Sequence, residues 1–389
     1  MSAAIILSVC LSARAERNPF GEEEEDDFMP PPYLKLAQQA LNGGDTDAAV
    51  RVLKAAKECW ALRFEKCGFT QVDYNSVAGV VYLEQGFTEE SAAALASVVS
   101  AQPNRIPAWF YLGQAYFRLS KYKKAAHALT QAEPVGRTLP QYHTLLVRAF
   151  MGAAQPEKAR RALDVGLTAF PKEPSLLLEA THLFISQGLF KTATDFAAQY
   201  AACATDRPAL AFIVTAEAYR AKGLHRDAID VLEQAALTCG DGTEASERLA
   251  YAYAETNRPF AAARLFEKLS YKNIDFAFSA SEQYRLAGRF TEALRTAARI
   301  PETYRRKEQL AAVYIQMESF DTAVEILTPL FQSGRLNEQR RLYLAFAALR
   351  TLRFDLAEKI LKTVHSPELE GVAVRLKNAL AKRRNDARH

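Results

Sequence analysis

Residues 109–129 read WFYLGQAYFRLSKYKKAAHAL, and this stretch decides the fold of the chain. It contains Ala125, a small residue, followed one helical turn later by the larger apolar Leu129. A small residue in this position lets two helices approach closely, and the larger residue fills the space beside it. Equivalents of Ala125 recur along the whole chain, at Ala49, Ser91, Ala159, Ala193, Ala228, Ala262, Ala293, Ala323 and Ala357.

The spacing of these positions is regular. Most of the successive intervals are about 34 residues long. The first interval is longer, and the two that lead to Ala293 and to Ala323 are shorter. Four positions after the small residues stand Leu53, Leu95, Leu129, Leu163, Ala197, Leu232, Phe266, Ala297, Leu327 and Leu361. The pattern predicts units of two short helices that bury their apolar stripes only by stacking on one another. The two shorter intervals predict shortened loops.

A longer motif surrounds Ala125. Trp109, Leu112, Gly113 and Tyr116 precede the Ala–Leu pair in the order W-x2-L-G-x2-Y…A-x3-F, with leucine in place of the final phenylalanine. On this motif and its regular period, the chain resembles the tetratricopeptide repeat family over about residues 33–366. The resemblance implies an all-α, right-handed solenoid of about ten helix-turn-helix repeats. Glycines mark the turn between the two helices in four units, at Gly86, Gly188, Gly223 and Gly288.

Composition limits the classes of protein that remain. The 389 residues are 49% hydrophobic, enough for a long core, and the unbroken period favours one elongated domain over several globular ones. A formal net charge of +4 is too small to indicate a nucleic-acid-binding protein. No run of about 20 apolar residues is present, so the sequence predicts no transmembrane helix.

The N-terminal segment has two parts. Residues 1–15 combine an apolar run with the sequence Ser-Ala-Arg-Ala at positions 12–15, which resembles a secretory signal peptide cleaved before Glu16. The alternatives are lipidation at Cys10 and an uncleaved N-terminus on a cytosolic protein. Residues 16–32 hold six consecutive acidic residues, 22–27, and a run of three prolines, 30–32, which predict an extended acidic arm.

The C-terminal segment, residues 367–389, has the opposite charge. Its basic side chains are Arg375, Lys377, Lys382, Arg383, Arg384 and Arg388. A polar terminal helix prevents repeat arrays from stacking end to end, so residues 371–389 are predicted to form a capping helix. The alternative is peripheral contact with an anionic membrane or an acidic partner.

The cysteine positions allow one disulfide bond. Cys59 and Cys67 flank the irregular stretch that lengthens the first interval, and they are a candidate pair in an oxidising compartment. Cys203 and Cys239 lie in equivalent positions of adjacent repeats. Such positions are roughly 10 Å apart, which is too far for a disulfide, so these two are predicted to be buried free thiols.

Motifs for chemistry are missing from the sequence. Its histidines and cysteines show none of the H-x3-H, H-E-x-x-H or C-x2-C spacings of metal or redox sites. Neither a phosphate-binding loop nor a nucleophile elbow is present. We therefore predict a protein that is not an enzyme and that uses no cofactor or metal.

Binding is the function that the resemblance implies. In this family the first helix of each repeat lines the concave surface, where its non-core positions meet the partner. The corresponding positions here are Phe110, Gln114, Phe117, Arg118, Arg148, His182, Glu217, Arg220, Tyr251, Glu282 and Arg285. Two phenylalanines beside two arginines suit an apolar peptide segment with an acidic end. The alternative is that Phe110 and Phe117 pack against the neighbouring repeat.

The sequence thus predicts a non-enzymatic scaffold for protein–protein interaction. With export, its setting is the bacterial periplasm, where its partners are subunits of an envelope machine such as a pilus, flagellar motor, secretion or export system. Without export, the prediction is a cytosolic chaperone or regulator that binds one peptide partner.

Overall fold

The chain is helical throughout the part that the structure describes. The computed structural model describes residues 32–62, 67–240 and 244–386, and within these ranges it contains 22 α-helices, one short 3₁₀ helix and no strand. The all-α fold class predicted from the sequence is confirmed. The predicted signal peptide, nearly all of the acidic arm and the last three residues lie outside the described ranges.

The chain divides into two compact units, Met1–Ala204 and Thr205–His389. The described part of the first unit contains five helix pairs and one short helix, α7, inserted after the third pair. Proline begins several of these helices, where its missing N–H costs nothing. The helices are α1 Tyr33–Asn42, α2 Thr46–Leu62, α3 Gln71–Glu84, α4 Thr88–Ala101, α5 Ile106–Arg118, α6 Tyr122–Gln131, α7 Glu133–Gly136, α8 Pro140–Gly152, α9 Pro156–Ala169, α10 Pro174–Ser186 and α11 Phe190–Cys203.

The second unit contains five more pairs and a terminal helix, α22. Within each pair the two helices pack on each other, and pairs pack on the next pair along the chain. The helices are α12 Leu210–Ala221, α13 His225–Cys239, α14 Glu244–Glu255, α15 Pro259–Ser270, α16 Phe276–Leu286, α17 Phe290–Ala297, α18 Thr303–Gln316, α19 Phe320–Gln332, α20 Glu338–Arg350, α21 Phe354–Leu361 and α22 Glu370–Asp386, with a 3₁₀ helix at Pro367–Leu369. No helix in the described ranges is long and apolar enough to cross a membrane.

The repeated small residues form the core contact of every pair. All ten are at most 4% exposed, and the residues four positions later are at most 5% exposed. Gly113 shows how close the helices come, because a Cβ atom on it would lie 2.6 Å from Cγ of Leu129. Gly79 and Leu95 repeat this contact one period earlier, at 2.5 Å. The spacing read from the sequence therefore identifies the packing interface of the pairs.

The turns inside the pairs share one backbone conformation. All ten have a residue with positive φ, between 56° and 85°, at the same place between the first and second helix. Five of these residues are glycine, but the others are Ser120, Ala154, Asn257, Glu318 and Leu352. The glycines predicted the turns correctly. The other five turns adopt the left-handed conformation although their residues disfavour it, because packing of both helices dictates the turn.

Leu352→Gly is expected to stabilise the second unit by about 0.5–1 kcal/mol. Leu352 is 63% exposed with φ of 59°, so glycine removes the strain of a left-handed leucine and sacrifices little packing. Gly288→Ala is the reverse control, because it adds a side chain at a turn residue with φ of 70°, where the new Cβ would touch nothing within 4 Å. It should destabilise by a similar amount. Urea unfolding followed by circular dichroism measures both, and a less stable Leu352→Gly variant would contradict the strain argument.

The irregular intervals have a different origin from the one predicted. We expected shortened loops before Ala293 and Ala323, but the helices themselves are short. α17 has only 8 residues and α16 only 11, whereas the second helix of the next pair, α19, has 13. The long first interval likewise begins with a long helix, because α2 extends to 17 residues. In the two short intervals, helix length rather than loop length absorbs the change in the repeat.

The terminal helix α22 packs on the last pair. Ala373 and Leu380 are buried against that pair, which covers its apolar end. Arg384 forms ion pairs with Asp355 and Glu358, and Arg383 donates to the carbonyl oxygen of Leu349 at 3.1 Å. Two of the basic side chains thus hold the cap in place. Fewer cations remain for the alternative role at a membrane surface.

Candidate functional site

Phe110 does not belong to a partner-binding groove. Its side chain is 5% exposed, and its ring lies 6.4 Å from the ring of Tyr142 on α8 of the next pair and 5.7 Å from that of Tyr111. The prediction that Phe110 meets a partner is therefore wrong, and the alternative of packing against the neighbouring repeat holds for it. The physical reason is that the face of α5 carrying Phe110 is covered by the following pair.

The remaining predicted residues on α5 are only partly available. Gln114 and Phe117 are half-buried, and the Phe117 ring meets the edge of Tyr122, on the second helix of the same pair, at 5.4 Å. Arg118 is exposed, but its guanidinium donates to the carbonyl oxygen of Leu83 near the end of α3. Arg118 thus satisfies a helix C-terminus in the preceding pair, a role that does not require a partner protein.

Arg148 and His182 flank a buried carboxylate that sequence reasoning missed. Glu179 on α10 is 3% exposed and accepts a hydrogen bond from Nε of Arg148 at 2.6 Å. Its other oxygen lies 3.9 Å from Nδ1 of His182. About half of the Arg148 side chain remains exposed. The first unit therefore holds these two predicted residues together around Glu179, and much of the charge of Arg148 is already neutralised.

The second unit brings three predicted residues around one cavity. Glu217 and Arg220 on α12 and Tyr251 on α14 line a cavity of about 170 Å³ whose floor is apolar, with Ile213 and Leu232 among its residues. Tyr251 is 45% exposed, and its ring rests edge-on against Phe266 at 5.1 Å. We refer to this space between α12 and α14 as the Tyr251 pocket.

Two ion pairs frame the Tyr251 pocket. Nη1 of Arg248 lies 3.4 Å from Oε1 of Glu217, and Nη1 of Arg220 lies 3.6 Å from Oε2 of Glu255. All four side chains are about half exposed. Ion pairs at such exposure contribute little to stability, so they open and exchange partners at low cost. The pocket thus combines an apolar floor with a rim of mobile charges of both signs.

Arg285 lies at a second cleft in the same unit, together with Glu282. The guanidinium of Arg285 donates from Nε to Oε2 of Glu282 at 2.9 Å and from Nη1 to Oε1 of Gln316 at 2.6 Å. Burial alone would raise the pKa of Glu282, but hydrogen bonds from Arg285 and Gln309 outweigh it and hold the pKa below its usual value. Glu282 therefore stays ionised and keeps Arg285 in place.

The ion pairs between consecutive repeats, which the sequence analysis did not predict, have a recognisable pattern in the sequence. Arg148 and Glu179 pair across consecutive repeats, and Glu217 and Arg248 pair at the same separation along the chain. The number of residues along the chain between the two charged partners is slightly smaller than the repeat period. Both ion pairs join the first helices of consecutive helix pairs. Opposite charges at this separation would have identified both contacts from the sequence.

Cys59 and Cys67 lie side by side as thiols. Both thiols are buried, and their side chains form a hydrogen bond. Burial, followed by the hydrogen bond and the charge of Cys59, raises the pKa of the Cys67 thiol to about 11. Neighbouring thiols of this kind are close enough to be candidates for oxidation, and the disulfide bond itself stays a prediction.

Oxidised glutathione is expected to convert this pair into an intramolecular disulfide. Attack by the Cys67 sulfur should be slow near neutral pH and accelerate as the pH approaches its pKa of about 11, because the thiolate is the attacking species. Mass spectrometry of the peptides that contain Cys59 and Cys67 would detect the loss of two hydrogens. Cys203 and Cys239, which are half-buried rather than buried as predicted, serve as internal controls that should form no bond with each other. If Cys59 or Cys67 formed only mixed disulfides with glutathione, and no bond with each other, the predicted pairing would be contradicted.

Ligands for a metal do not cluster in the described ranges, where no group of three or more His, Cys, Asp or Glu side chains is placed to hold an ion. The polar groups gathered in both units are instead paired charges, and the second unit adds exposed tyrosines on its first helices. Such surfaces suit binding of a polypeptide, because arginine and tyrosine are enriched at protein interfaces.

Comparison with known families finds a match for one segment of the chain. Residues 77–140, which extend from α3 to the first residue of α8, match the family model of the tetratricopeptide repeat. The helix pairs on either side of this segment follow the same plan of packing. Proteins of this class mediate protein–protein interaction. A comparison with curated proteins finds no significant match.

Solved structures with a similar arrangement of helices include two proteins. MamA from Desulfovibrio magneticus RS-1, residues 41 to the end, is 21% identical, with a TM-score of 0.37 over 42% of this chain and 88% of that chain. A structure from a functional characterisation of Pseudomonas aeruginosa pilF is 15% identical, with a TM-score of 0.40 over 52% of this chain and 89% of that chain. Another MamA crystal structure is 17% identical, with a TM-score of 0.39 over 43% of this chain and 91% of that chain.

Proposed function

We propose that this protein is a non-enzymatic scaffold that binds peptide segments of partner proteins along the first helices of its repeats. The observation that carries the proposal is the Tyr251 pocket, where three residues selected from repeat position alone surround one cavity. An apolar floor provides binding energy through burial of a partner side chain. The charged rim provides orientation and faster association.

We further propose that the scaffold works in the bacterial cell envelope, within an assembly such as a pilus, flagellar motor, secretion or export system. The support for this location is the signal-peptide-like sequence of residues 1–15. The acidic residues 22–27 would then follow the cleavage site as a charged segment ahead of the first repeat.

A cytosolic chaperone or regulator with one peptide partner is the second candidate. The N-terminal sequence favours it in one respect, because no Lys or Arg precedes the apolar run of residues 3–11, whereas one usually does in a signal peptide. Mass spectrometry of the N-terminal peptide from the native host separates the two candidates. A mature chain that begins at Glu16 supports the envelope scaffold, and a chain that retains residues 1–15 supports the cytosolic protein.

Site-specific photo-crosslinking tests the binding surface. A photoreactive phenylalanine analogue at Tyr251 is expected to crosslink a discrete partner in the native host, because this side chain is 45% exposed at the rim of the pocket. The matched control is the same analogue at Leu237, which is 86% exposed near the end of α13 and does not line the pocket. Equal crosslinking from both positions, or none from Tyr251, would reject the pocket as the binding surface.

A further inference from the structure

A second cleft of the second unit lies across the first helices of three consecutive pairs. It has a volume of about 380 Å³ and is lined by residues of α16, α18 and α20. Ala312 and Ile315 form an apolar wall on α18, and the ring of Tyr343, 38% exposed, lies on α20. Arg285 and Arg340 bring two guanidinium groups to the same cleft. We refer to this space as the Arg340 cleft.

The two guanidinium groups differ in their partners. Arg285 is fully engaged by Glu282 and Gln316. The half-buried guanidinium of Arg340 lies 5.5 Å from the centre of the Tyr343 ring, and it forms no ion pair with a carboxylate in the described part of the chain. Arg285 and Arg340 both help to hold the pKa of Glu282 below its usual value, so one carboxylate faces two guanidinium groups and the cleft keeps a net positive charge of one.

Local backbone adds to this positive charge. Arg340 lies in the first turn of α20, a helix of 13 residues, where its backbone N–H donates to Oδ1 of Asn337 at 2.8 Å. The N-terminal end of a helix carries a partial positive charge, which favours an anion nearby. Stacking on Tyr343 restrains the guanidinium in advance, so less side-chain entropy is lost when an anion binds.

We propose that the Arg340 cleft binds an acidic side chain of the partner peptide, with a neighbouring apolar residue of that peptide against Ala312 and Ile315. A carboxylate carries one negative charge and matches the single excess positive charge, whereas a phosphate monoester carries nearly two. This inference rests on the proposed function, since it names the chemistry of the peptide that the scaffold receives.

Phage display of random twelve-residue peptides against the full-length chain tests the inference. Selection on the native chain is expected to enrich Asp or Glu at one position next to an apolar residue. The Arg340→Gln variant should lose this enrichment and bind a synthetic copy of the selected peptide at least about tenfold more weakly. Arg335→Gln is the matched control, because it removes the same charge from an exposed loop residue that does not line the cleft. Circular dichroism verifies that both variants remain folded.

Each result decides a separate point. Peptides enriched without an acidic position, or acidic peptides that bind the Arg340→Gln variant as well as they bind the native chain, overturn the acidic-peptide assignment and leave the proposed scaffold standing. Failure to enrich any peptide counts against the peptide-binding function itself, and the assignment falls with it. Loss of binding in the Arg335→Gln variant as well would show that general charge attraction, rather than the cleft, holds the peptide.

Discussion

Gly113→Ala should destabilise the first unit by about 1–3 kcal/mol, although alanine is a better helix former than glycine. The new methyl group would lie 2.6 Å from Cγ and 2.8 Å from Cδ2 of Leu129, which is closer than carbon atoms pack. Leu129→Ala alone should cost about 2–5 kcal/mol because it leaves a cavity at a fully buried position. In the double variant the added methyl enters that cavity, so the two costs should not add.

Urea unfolding of the four chains in this cycle measures the coupling between the two positions. We expect a coupling of about 1–2 kcal/mol that favours the double variant. Gly43→Ala is the matched control in the same unit, because its Cβ would meet other atoms only at 3.5 Å, an ordinary contact distance. Additive costs for the two substitutions would mean that the helices of this pair do not approach as closely as Gly113 and Leu129 indicate.

Arg148→Met should destabilise the first unit by about 3 kcal/mol, because it leaves the Glu179 carboxylate buried without its partner. Glu179 is 3% exposed, and its hydrogen bond with Arg148 is 2.6 Å long. A second substitution, Glu179→Leu, removes the buried charge and should recover most of the loss. Denaturant midpoints of the single and double variants measure this effect.

Arg220→Met provides the comparison in the second unit. Its partner Glu255 is 56% exposed at 3.6 Å, so removal of the arginine should change stability by no more than about 0.5 kcal/mol. Arg148 and Arg220 were selected from the sequence for the same binding role, but burial of the partner carboxylate separates them. An Arg148→Met variant as stable as the native chain would return Arg148 to the list of groove residues.

The candidate site was less predictable than the fold. Repeat position alone selected Glu217, Arg220 and Tyr251, which line one pocket. It also selected Phe110, which is buried, because burial of that helix face depends on the following pair. Repeat position could not reveal the charge balance of the Arg340 cleft. That balance depends on which side chains of three separate helices meet.

The repeat and the core of each pair could be predicted from the positions of the small and large apolar residues alone. Spacing is sufficient for this, because residues one helical turn apart share a face whatever the rest of the chain does. Only the tertiary structure decided where the chain divides, after Ala204, since the interval from Ala193 to Ala228 keeps the ordinary period across that boundary. It also decided which charges are neutralised, because ion pairs between repeats depend on distances across packed helices.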